Sequence, residues 1–121
     1  MKQILLSLLI LCIVSCSKNK DEEAPVITIS SPTNNQSFAA GQTVNVSATV
    51  TDNVELHEVH LFVTNNATGH EVVHFEQHAD AKTLNIDKSF TAQTGITYRI
   101  RVEADDHAGN GSEAQVLVSS Q

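Results

Sequence analysis

Five of the six histidines of this 121-residue chain fall between His57 and His78, in the run HEVHLFVTNNATGHEVVHFEQH. Neutral imidazole suits zinc, copper and nickel, and it stops ligating once protonated. Several imidazoles and a carboxylate on one surface would therefore make a transition-metal site, here drawn from His60, His74, His78, Glu76, His57 and His107, with zinc or copper as the expected ion. The competing reading is that these are polar residues on the solvated face of a strand.

Other chemistry finds less support. The stretch His57-Glu58-Val59-His60 superficially resembles a zinc-protease motif, but that chemistry needs histidines four apart on a helix; three apart on a strand they point to opposite faces, and packing at the core edge is the favoured role of His57. Glu58 and Glu76 stand on an open sheet face, where no cleft raises one carboxyl pKa for glycoside hydrolysis. A nucleophile elbow and a phosphate-cradling glycine loop are both missing from the sequence, and an enzyme is not expected. Asp52, Asp105 and Asp106 fit either calcium coordination between loops or turns in which aspartate bonds nearby amides, the turn role being favoured. A net charge of −7 argues against nucleic acid as a partner.

The histidines need a hairpin to hold them. Asn65, Asn66 and Gly69 tolerate the positive φ of tight reversals, and apolar alternation flanks them on both sides. A loop centred on Ala67 pairs Val59 with Phe75 and Leu61 with Val73 on an inner face, and His60 with His74 and Glu58 with Glu76 on the outer one.

Ahead of this lies a segment of another kind. Lys2 and the apolar run Ile4 to Val14 have the form of a secretory signal, too short for a mature membrane span. The run ends in Ile13-Val14-Ser15-Cys16, which resembles the lipobox of bacterial lipoproteins and implies cleavage before Cys16 and acylation there. Residues 1–15 are thus expected to be a signal peptide and 16–24 a lipid-anchored flexible tether, since Ser17 to Glu23 contains nothing apolar to bury. The acidic end of that tether resembles signals that send lipoproteins to the outer face of the outer membrane. Cys12 leaves with the signal, so the mature domain has no disulfide.

From Ala24 onward short alternating runs separated by turn residues predict an all-β domain, residues 25–121. Strands are expected at Pro25 to Ile29, along Val44, Val46, Ala48 and Val50, on both arms of the hairpin, at Leu84 to Phe90, along Tyr98, Ile100, Val102 and Ala104, and at Ala114 to Val118. About seven strands in about a hundred residues suggest a two-sheet sandwich. The phrases ATVTDNVELHEVHLFV and TYRIRVEADDHAGN resemble paired signatures of bacterial immunoglobulin-like domains, at Asp52, Asp106, Gly109 and Asn110, with Tyr98 as a corner tyrosine. The histidine-bearing hairpin is similar to that of an envelope lipoprotein family of unknown function. The immunoglobulin-like resemblance implies that His57, His78, His107, Asp52 and Asp106 gather at one end of the sandwich, the end from which the N-terminus emerges. His60 and His74 then lie further along the outer face and His70 at the opposite end.

Together these readings describe a surface-exposed outer-membrane lipoprotein that binds zinc, copper or a metal-bearing ligand through its histidine-rich hairpin. The alternative is a structural or adhesive immunoglobulin-like module that binds an envelope protein or a glycan, with incidental histidines.

Overall fold

The computed structural model describes residues 19–121; the expected signal peptide and Cys16 lie outside them. Eight strands follow in order: β1 (Val26–Ser31), β2 (Ser37–Phe38), β3 (Thr43–Thr51), β4 (Leu56–Asn65), β5 (Glu71–His78), β6 (Thr83–Thr91), β7 (Thr97–Asp106) and β8 (Gly111–Ser120). Seven match the runs expected from alternation. The additional one, β2, is two residues long and pairs parallel to β8, the other pairings being antiparallel. A three-stranded sheet, β1-β3-β6, packs on a five-stranded one, β2-β8-β7-β4-β5.

Alternation explains the core. Val44, Val46, Ala48 and Val50 of β3 face Val59, Leu61 and Val63 of β4 and Tyr98, Ile100, Val102 and Ala104 of β7, all buried. Tyr98 packs on Phe90 at 4.8 Å between ring centroids, and its hydroxyl accepts a hydrogen bond of 2.9 Å from the Gln93 amide, the corner expected of it. Because five strands oppose three, β5 overhangs the smaller sheet. Its inward Val73 and Phe75 are only half-buried, and Lys88 of β6 sets its ammonium 4.3 Å from the centre of the Phe75 ring.

The hairpin closes differently from the expected register. In its six-residue reversal the Gly69 amide bonds the Asn65 carbonyl and the Asn65 amide bonds the His70 carbonyl. A bulge then follows, Thr64 pairing with Glu71 but Val63 with Val73, which leaves Val72 as the extra residue, 42% exposed. The strands are thereby offset by two residues from the expected pairing. Leu61 lies opposite Phe75, His60 opposite Glu76, Phe62 opposite His74 and Glu58 opposite His78. Faces are preserved because an offset of two keeps parity.

The lead segment also meets the domain earlier than a wholly free tether would. Asn53 donates to the Asp21 carboxylate at 3.0 Å, and the Asn110 amide donates to the carbonyl of Asp21 at 3.1 Å. Main-chain carbonyls need no apolar neighbours to dock, so the composition of residues 16–24 gives no sign of it.

Candidate functional site

Two groups of histidines form on the five-stranded sheet. The first sits at the end where the lead segment docks. A second bulge, between β4 and β7, pairs Leu56 with Asp106 and Glu58 with Asp105, leaving His57 without an opposite residue. Strict alternation from Val59 would turn His57 into the core. The bulge instead gives that place to Leu56, which is fully buried, and frees the His57 ring to reach outward. It meets His78, the last residue of β5, at 4.7 Å between ring centroids with planes crossed at 86°, and His107, on the turn after β7, at 4.6 Å and 52°. His57 thus belongs to this group rather than to core-edge packing alone.

One nitrogen from each of the three imidazoles lies within 4.8 Å of the others. Two carboxylates that sequence reasoning did not single out surround them. Asp80 stands 2.9 Å from His107 Nε2 and 3.2 Å from His78 Nε2, and Glu55 stands 3.2 Å from His107 Nε2. The hydrogen bond with His107 holds the Asp80 carboxyl below its ordinary range; desolvation opposes this, and the charge of His78 assists it. Nδ1 of His57 is buried without a hydrogen-bond partner. An ion ~2.0–2.1 Å from each nitrogen would draw them to ~3.4 Å of one another. Asp80 sits in a polar connection between strands, where the only sequence signal was a carboxylate two residues beyond His78.

The second group lies on the outer face. His60 and His74 are diagonal neighbours, 6.0 Å apart and inclined by 27°, and Glu76 completes a set of ligand atoms within 4.8 Å. Phe62, which sequence reasoning passed over, lies parallel to His60, with centroids 5.8 Å apart and planes at 3°, and stacks on His74 at 4.7 Å. The Arg101 guanidinium covers Phe62 at 4.9 Å and pairs with Glu103 at 3.2 Å. Glu58 and Glu76 approach His60 at 3.6 and 3.8 Å, too far for hydrogen bonds, and His60 Nδ1 is left buried and unpartnered. His70 sits in the reversal at the far end of the hairpin and joins neither group.

The aspartates serve the turns. Asp52 accepts the amides of Val54 and Glu55 at 2.9 and 2.7 Å, and Asp106 accepts the amide and side chain of Asn110 at 2.8 and 2.6 Å. Desolvation works to raise the Asp106 pKa, but the Asn110 bonds and the amides of Ala108 and Gly109 outweigh it and leave the carboxyl below its ordinary range. Asp105 is exposed and pairs within the strand register only.

Two concavities among the described residues are lined without a histidine. One of about 440 Å³ crosses β3 and β6 and is lined by Asn45, Ser47, Asp87 and Lys88 among others. Another, about 450 Å³, is formed by the lead segment with Asn53 and Val54.

This two-sheet arrangement, with its corner tyrosine and Asp-Asp-x-x-Gly-Asn turn, is that of an immunoglobulin-like domain. The chain belongs to the bacterial Ig domain family, whose sequence profile matches residues 25–114. No curated protein matches the sequence. Among solved structures, fibronectin(III)-like modules of CbhA from Clostridium thermocellum are similar at a TM-score of 0.54 and 17% identity, over 80% of this chain and 47% of that one. This chain therefore spans just under half the length of that relative. A β-glucosidase from Listeria innocua is similar at a TM-score of 0.49 and 10% identity, over 78% of this chain and 16% of that one.

Proposed function

We propose that this chain is a non-catalytic immunoglobulin-like module displayed at the bacterial cell envelope, held at the outer membrane by acylation of Cys16, that binds an envelope glycan or protein. Membership of a family whose domains are often extracellular or surface-associated supports the location and the lack of catalysis. The observation that carries the binding face is the stacked row His60, Phe62 and His74, with Arg101 over its centre and carboxylates along its rim. Flat π faces beside a guanidinium and hydrogen-bonding carboxylates are the groups that hold sugar rings and polar protein surfaces. Binding to isolated peptidoglycan, lipopolysaccharide and outer-membrane protein is the test. Retention of one of these that falls at least about tenfold in Phe62→Ala supports the proposal, and equal retention by the variant rejects it.

A second reading is favoured by a specific observation, the convergence of His57, His78 and His107. On this reading the same module captures zinc or copper at the end of the sandwich, with Asp80 orienting two of the rings. The N-terminal lead reaches this same end, so the ion would be held on the membrane-facing side. Elemental analysis of protein purified without a histidine tag tests it. Stoichiometric metal lost in His57→Ala, His107→Ala supports the reading, whereas metal-free protein whose melting ignores a chelator rejects it.

A further inference from the structure

Beside the histidine end lies a cluster of another chemistry. The carboxylates of Asp21 from the lead segment, Asp52 from the loop after β3 and Asp106 from the end of β7 bring one oxygen each within 4.8 Å of the others. Among the described residues no lysine, arginine or histidine nitrogen stands within 4.0 Å of any of the three. Asp52 is 8% exposed and Asp106 2%. Buried carboxylates without a cationic partner are costly, and converging ones more so.

Asp52 supplies the decisive detail. Its Oδ2 is taken by the amides of Val54 and Glu55, and its Oδ1 is buried with no hydrogen-bond partner, on the carboxylate that meets the other two. The main-chain carbonyls of Asp21 and Glu23 turn to the same place, where the single Asn110 amide faces both of them, at 3.1 and 3.4 Å, as well as Asp106. We infer that Asp21, Asp52 and Asp106 form a binding site for a hard divalent cation of the calcium type, which clips the lead segment to the sandwich. The donors are all oxygen, three of them anionic, which is the set that calcium takes, with a coordination number of about six to eight. It is a poor set for the softer ions that imidazole selects, so the two neighbouring sites divide metals by ligand type.

Such a clip sets the reach of the domain. An extended chain advances at most ~3.6 Å per residue, so with Cys16 as the anchor proposed above, fixing Asp21 rather than Pro25 cuts the free span from ~32 to ~18 Å.

The test uses the full chain in detergent, with calcium chloride as titrant. Calorimetry is expected to show one calcium per chain with a Kd of ~1 mM or tighter. Trypsin cleavage after Lys20 is expected to slow at least about fivefold in calcium relative to chelator, as a clipped segment opens less often. Asp21→Asn lies on the lead segment, outside the strands, and spares their fold. It is expected to weaken binding at least about tenfold, and Glu22→Gln to leave it unchanged. The His57→Ala, His107→Ala variant is expected to bind calcium as before, which keeps this result separate from the imidazole site. No heat with calcium, equal binding by Asp21→Asn, or loss of calcium binding with the histidines would each overturn the inference.

Discussion

The imidazoles of His57, His78 and His107 come from a bulge, a strand end and a turn, whereas those of His60 and His74 sit on adjacent strands of one sheet face. The difference shows in how the rings meet. A nitrogen lone pair lies in the plane of its ring, so rings crossed at 86°, 52° and 85° can aim three lone pairs at one point. Rings inclined by 27° or less and interleaved with Phe62 present flat faces instead. Irregular backbone thus makes a converging set, and regular pleating makes a platform.

Four experiments break or sharpen this contrast. Leu61→Ala empties the fully buried core beneath β4, which supports both groups, and is expected to cost about 2–5 kcal/mol in urea unfolding. A cost below ~1 kcal/mol would mean that the two groups do not share that footing. Zinc affinity by calorimetry separates them: His57→Ala with His107→Ala is expected to lower it at least about a hundredfold, roughly 2.7 kcal/mol, and His60→Ala with His74→Ala less than about threefold. The reverse ranking would move the metal site to the sheet face. Asp80→Asn, which removes the charge facing two rings of the end group, is expected to weaken zinc about tenfold, with envelope binding unchanged. Phe62→Ala is expected to leave zinc alone and to lower stability by only about 0.5–1.5 kcal/mol, the stacking with its neighbours; a change in zinc affinity would join the two groups into one site.

Acid tests the turn that carries His107. The Asp106 carboxyl titrates below its unfolded value of 3.8, so its contribution to stability is complete above that value and is lost as pH falls through the folded one. Urea midpoints measured from pH 7 to pH 2 are expected to decline on that lower limb, and Asp106→Asn to flatten it. An unchanged limb in the variant would assign acid sensitivity to other groups.

Most of the fold was legible because apolar residues at every second position of β3 and β7 admit one inward face each. The convergence at the sandwich end came from the immunoglobulin-like resemblance rather than from spacing. The hairpin register was not legible, since Val72 and Val73 are both apolar and alternation cannot say which one is extra. Pairing of β2 with β8 rests on two residues, too few for any period. Asp80 and Asp21 belong to polar connections whose composition matches solvent-facing chain, and only the folded backbone brings them to their partners. Phe62 was hidden differently: an aromatic residue in a strand reads as core, yet its parity with His60 puts it outside.

Strand β5 ends its sheet with one row of amides and carbonyls unmatched, and it carries Glu71, His74, Glu76 and His78 along its length. A second molecule adding itself to that border would strip water from these charged groups. These exposed charges disfavour growth of the ribbon from one copy into the next.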